Sequence, residues 1–182
     1  MGAWRAAGGY SLVELLVSTA ILGLVMAATL SFLRSGVGAY NWGVARVQAQ
    51  QSARVALERM EKELREAGYD PRGAGIAPIV AAQPALVTFQ RDLDGNGVVN
   101  ATRERVTFVL RPGESVLRRD AGGGAQPLIE GVRRFALAYF DDAGAPTTDP
   151  ARVASVGIQL EVGLKGPSVT MGTQVSLRNH RG

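Results

Sequence analysis

Cysteine is absent from the 182 residues, and histidine occurs once, as His180 close to the C-terminus. The first absence excludes disulfides and thiolate metal sites. Together the two remove the usual nucleophile and base pairings and the zinc ligand sets. No GxxxxGK[ST] phosphate loop is present either. The paired acids Asp141 and Asp142 sit in "FDDAGAP", a turn signal, and read as a solvated turn rather than catalytic carboxylates. No enzymatic activity is expected.

Lysine is also scarce. Only Lys62 and Lys165 stand among the 20 basic residues, so the net charge of +4 rests on arginine. The basic residues are dispersed, their densest points being Arg118-Arg119 and Arg133-Arg134, and no aromatic residues interleave with them. A nucleic-acid surface is therefore not expected.

Charge of either sign is missing from Leu15 to Leu33. As a helix these nineteen residues span about 28 Å, close to the hydrocarbon thickness of a bilayer. A cleavable secretory signal has its small residues after a shorter apolar run. Here "AAGG" at 6 to 9 precedes the run, so a cut there leaves the hydrophobic helix on the mature chain. One carboxylate, Glu14, stands immediately before this run, with the apolar Leu12 and Val13 ahead of it. Placing an unpaired acid in hydrocarbon costs about 2.5–3.5 kcal/mol on translocon-based scales.

The stretch "GYSLVELLV" at Gly9 to Val17 resembles the processing site of type IV pilins and type II secretion pseudopilins, usually G-F-T-L-x-E. The resemblance places Gly9 at the last leader position, Tyr10 at the new N-terminus and Glu14 fifth in the mature chain. It implies that a prepilin peptidase cuts between Gly9 and Tyr10 and that the Tyr10 amine is methylated. It also gives Glu14 a partner, the N-terminal amine of a neighbouring subunit in the assembled fibre. An ion pair in a low-dielectric setting then offsets the burial, and the first helical turn adds a favourable dipole contribution. The small residues Gly23, Ala27 and Ala28 would let neighbouring helices approach closely.

Beyond Arg34, the glycines at 36, 38 and 43 each cost about 1 kcal/mol relative to alanine in a helix, and a bend or melted turn is expected there. The helix then resumes. Val44, Val47, Val55, Met60, Leu64 and Ala67 recur at helical spacing and are expected to pack on a core. Gly68 reads as the C-cap and Pro71 as a stop signal. Residues 72 to 84 read as loop and "AGGGA" at 121 to 125 as a hairpin connection. Strands are expected over 85–91, 105–111, 115–119, 132–140, 151–164 and 168–178, from β-branched and aromatic content and turn residues between them.

The order predicted is thus a leader at 1–9, a transmembrane helix at 10–34, an amphipathic half at 35–68 and an antiparallel β domain at 69–182. This α+β arrangement resembles the pilin fold. The stretches "LRRDAGGGAQPLIEGVRRFALAYFDDAG" and "VSLRN" resemble PilW-type minor pilins and J-type minor pseudopilins. The implied protein is a minor pilin that initiates or caps a type IV pilus, or a minor pseudopilin of type II secretion. Its partners would be prepilin peptidase, other major and minor pilin-like subunits and inner-membrane lipid, with the C-terminal domain in the periplasm.

"DLDGNGVVN" at 92 to 100 is the one metal-like stretch. Asp92, Asp94 and Asn96 match the first oxygen ligands of a calcium loop, with the Val98 carbonyl and Asn100 at later positions. Arg103 stands where a bidentate glutamate is needed, leaving Glu104 to substitute through altered geometry. An Asp/Asn/Gly turn between two strands explains the same residues. A membrane-tethered protein that binds calcium or DNA and never polymerises is the alternative from a different class.

Overall fold

The computed structural model describes residues 11–163 and 166–179. Gly9, Tyr10, Lys165 and His180 therefore lie outside the described residues. The chain divides into two compact units, Met1–Gly43 and Val44–Gly182.

Helix α1, Leu12–Arg65, contributes to both. In the first unit none of the described residues covers its apolar half: the most apolar window is 0% buried. Its hydroxyls turn back on their own backbone. Thr19 Oγ1 donates to the Leu15 or Leu16 carbonyl at 2.9 and 3.0 Å, and Thr29 Oγ1 to Val25 O at 2.8 Å. Polar groups satisfied within the helix are what a hydrocarbon surrounding requires. Gly36, Gly38 and Gly43 are all helical, so the expected melted turn is absent. Three unfavourable residues do not outweigh the backbone bonds of a 54-residue helix.

In the second unit α1 buries Ala53, Ala56, Leu57, Met60 and Leu64. Val47 and Val55 are each 60% exposed and Val44 39%. The apolar stripe thus splits into two faces: Met60, Leu64 and Ala67 enter the core, while the three valines look away from it. Positions 53, 57, 60 and 64 define the buried side; at 100° per residue 44 and 55 fall opposite it, and 47 lies on its flank, about 110° round. At Gly68 the backbone takes φ +73°, and an added Cβ would stand 2.7 Å from the Pro78 ring and 2.9 Å from Asn179 O. Only glycine closes the helix here.

Eight strands follow: β1 Ile79–Gln83, β2 Leu86–Gln90, β3 Arg105–Leu110, β4 Val116–Asp120, β5 Gln126–Glu130, β6 Val132–Phe140, β7 Ser155–Val162 and β8 Val169–Ser176. They form two antiparallel sheets, β1-β2-β3-β4-β5 and β6-β7-β8. The fold is α+β, one long helix with antiparallel sheets packed against it. β1 lies inside the segment read as loop, and β5 lies where no strand was read. Ala151 and Arg152, read as the start of a strand, belong instead to a 3-10 turn at Pro150–Arg152, because Asp149 caps Ala151 N at 3.0 Å and Pro150 fixes the first turn.

Gly131, at φ +72°, is the single residue between β5 and β6 and turns the chain from one sheet into the other. Alternation holds along the core strands. Val87 and Phe89, Val106 and Phe108, and Val156, Ile158, Leu160 and Val162 face inward. Phe89 and Phe108 stack with centroids 5.9 Å apart. The Tyr139 hydroxyl on β6 reaches Gln83 O at 2.8 Å and Leu86 O at 2.9 Å, tying the second sheet to the first.

Candidate functional site

Glu14 lies in the first turn of α1, in the exposed apolar half. Among the described residues Glu14 has no basic partner, for none of the ion pairs involves it. Leu12, Val13, Leu15, Leu16 and Val17 around it are all more than half exposed. An uncovered apolar helix with an acid near its start buries both only by meeting lipid or other helices.

The second candidate is the loop between β2 and β3. Asp92 is fully buried, and its carboxylate is ringed by amides: Oδ1 accepts from Gly95 N at 2.7 Å and Asn96 N at 3.1 Å, Oδ2 from Gly97 N at 2.8 Å. Asp94 Oδ1 accepts from Asn96 N at 3.0 Å, and Asn96 Oδ1 from Val98 N at 2.7 Å. Glu104 enters from the far side. Its Oε2 accepts from Asn100 N at 2.8 Å and its Oε1 from Leu93 N at 3.0 Å. Oxygens of Asp92, Asp94 and Glu104 all lie within 4.8 Å of one another.

Glu104 reaches this position because Arg103 takes φ 70°, the one non-glycine residue with positive φ among those described. That turn absorbs the extra residue separating Glu104 from the twelfth place of a calcium-type loop. The Arg103 carbonyl faces the buried Arg91 guanidinium at 3.3 and 3.4 Å, and Arg103 N donates to Ala121 O at 2.8 Å. An all-oxygen set of this kind suits a hard divalent cation such as calcium, and Glu104 rather than Arg103 would complete it. The same oxygens already hold the loop closed through its own amides.

Asp70, which sequence reasoning passed over, builds a neighbouring loop in the same way. It accepts from Ala74 N at 2.9 Å, Gly75 N at 2.8 Å and Ile76 N at 3.3 Å. Its only signal was an acid before Pro71 in a glycine-containing stretch. The amide of Ala74 chiefly, with those of Gly75, Ile76 and Gly73, holds its carboxyl below the usual range against the opposing effect of desolvation.

Glu104 is lowered likewise, by the Asn100 amide first, against burial, and then by the amides of Leu93 and Asp94. A carboxylate with a depressed folded-state pKa stabilises the fold fully above its unfolded value, about 4.3 for glutamate. That contribution is lost as pH falls through the lower folded-state value. Glu104→Gln is expected to lower the urea midpoint at neutral pH and to flatten the loss of stability on acidification below pH about 4.3. Urea titrations of wild type and variant across that range check it.

Residues 4–30 match the prokaryotic N-terminal methylation motif. No curated protein matches the chain at a significant level. The matched stretch contains Gly9, Tyr10 and Glu14 and the first part of α1. It supports a pilin-like or pseudopilin chain processed by prepilin peptidase, anchored by its apolar helix and assembled with other subunits of that kind.

Proposed function

We propose that this chain is a minor pilin that initiates or caps a type IV pilus. It is cut between Gly9 and Tyr10, methylated on the new amine and held in the inner membrane with its sheets in the periplasm. It then joins other pilin-like subunits through α1. The observation that carries this is the conjunction of a prepilin methylation motif with an apolar helix that none of the described residues covers. The exposed valines at 44, 47 and 55 extend the uncovered apolar surface of α1 into the second unit, as helix packing in a fibre core calls for.

A minor role is favoured by the resemblance of residues 117–144 and 175–179 to PilW-type subunits. The same features suit a minor pseudopilin of type II secretion, a fibre of the same construction. Neither role needs a catalytic residue or a cofactor. Sheared fibres test the proposal. The chain is expected in them far below the amount of the main subunit, and its deletion is expected to lower fibre number while the remaining fibres keep the same main subunit. A chain found only in the membrane fraction, with fibre number unchanged on its deletion, would overturn it.

A further inference from the structure

Two antiparallel sheets have four edges, and three of them are guarded. β1 has a bulge between Ile79 and Ala81, is flanked by Pro78 and Pro84, and packs beside the 3-10 turn at Pro150–Arg152. β5 carries Pro127 and Glu130 and pairs through a bulge. β6 carries Arg133 and Arg134 and a bulge. Its outer backbone is also in use: Leu137 N donates to Pro84 O at 2.8 Å, and Tyr139 O accepts from Thr147 N at 2.9 Å. Bulges, prolines, charges and covering segments are the devices that stop an edge from recruiting another strand.

β8 has none of them. Val169–Ser176 contains no charge and no proline, and all eight residues pair with β7 in unbroken register. Among the described residues no backbone bond covers its outer side. A groove runs beside the start of this strand, lined by Val47, Gln51 and Arg54 of α1 and by Val169, Thr170 and Met171. Val169 and Met171 pair with the inward residues Val162 and Leu160, whereas Thr170 pairs with Glu161 on the other face. Residues of both faces lining one groove means that the strand's backbone edge borders it. Arg54 is the only charge in that lining, and it has no ion-pair partner among the described residues.

We propose that β8 is a docking edge for an extended strand of a different pilin-like subunit, an inference that rests on the fibre-subunit role. The incoming strand adds to the sheet by backbone hydrogen bonds. It is uncharged along β8, sets apolar side chains beside Val47 and Met171, and carries a carboxylate at the end that meets Arg54. A second copy of β8 does not fit this description, because Val169–Ser176 has no acid to offer Arg54.

The test uses the full chain in its own cells with a photo-cross-linking residue at Thr170 or Gln174, both exposed on β8, and at Gln159 on the central strand β7 as control. Adducts from 170 and 174 are expected to map to one extended segment of a different chain, about four residues apart as strand pairing dictates, with none from 159. Arg54→Glu is expected to lower their yield by roughly tenfold, with the circular dichroism melt unchanged. Absence of adducts, adducts to a second copy of this chain, or equal adducts from 159 would overturn the docking edge. Methylation of Tyr10 is scored on the same sample. A methylated N-terminus without β8 adducts retires the docking edge alone, and β8 adducts on a chain with an intact leader retire the fibre role alone.

Discussion

Glu14→Ala is expected to insert in the membrane and be cleaved like the wild type, with its incorporation into fibres lowered by roughly a hundredfold. The size follows from what the substitution leaves behind. Under the proposed role the carboxylate would meet a neighbour's N-terminal amine within hydrocarbon, and removing one partner of a buried ion pair costs about 3–5 kcal/mol because the other charge is stranded. A loss of about 2.7 kcal/mol is already a hundredfold in an association equilibrium. Glu14→Gln keeps the shape without the charge and is expected to fail nearly as badly, which separates electrostatics from packing. Immunodetection of each variant in membrane and sheared-fibre fractions gives both numbers. Full incorporation of either variant removes the role assigned to this acid.

The second large effect concerns stability rather than assembly. Glu63, on the buried side of α1, accepts from Arg119 Nε on β4 at 2.8 and 2.9 Å and from Arg59 Nε at 3.1 Å. Arg91 approaches it at 3.9 Å and also pairs with Glu66. The Arg91 side chain is only 7% exposed and that of Arg119 20%. Glu63→Ala therefore removes the carboxylate that two largely buried guanidiniums share, leaving Arg119 without its ion pair and Arg91 with Glu66 alone, and is expected to cost about 3–5 kcal/mol. Urea unfolding of the two proteins measures it. A loss under about 1 kcal/mol, as for a solvent-exposed pair, would show that this cluster does not fasten the helix to the sheet. Arg91 also bonds the Arg103 carbonyl, so the same variant is expected to loosen the loop that Glu104 closes.

Much of this architecture can be read from local pattern. The uncharged run from Leu15 to Leu33 and the acid before it announce the anchor, and Gly68 with Pro71 marks where α1 stops, because φ and donor requirements there are local. Strands such as 105–110 and 155–162 declare themselves by strict alternation. β1 and β5 do not. "IVAAQ" is short, has two alanines and sits in a stretch rich in glycine and proline, and "QPLIE" contains a proline that a sheet tolerates only at its edge. Both are edge strands held by their neighbours rather than by propensity. The division into two sheets depends on one residue, Gly131, whose turn resembles any other glycine turn in the sequence.

The helix stripe shows a different limit. Periodicity groups Val44, Val47 and Val55 with Met60 and Leu64 as apolar, yet which of them meets the core depends on where the sheets lie, and that is tertiary information. The same holds at the β2–β3 loop. Asp92, Asp94 and Asn96 are legible by spacing, whereas the arrival of Glu104 depends on the left-handed Arg103 and on Arg91, eleven and twelve residues away from Asp92 and Arg103 in turn only through folding. Glu14 is the reverse case: its oddity is plain in sequence, and the partner proposed for it lies in another molecule.

Mass spectrometry of the N-terminal peptide from chain recovered out of native membranes and fibres bears most directly on all of this. Cleavage after Gly9 and a single methyl group on the Tyr10 amine is the expected result. A chain that retains its first nine residues, with an unmodified interior Tyr10, would contradict the fibre-subunit role.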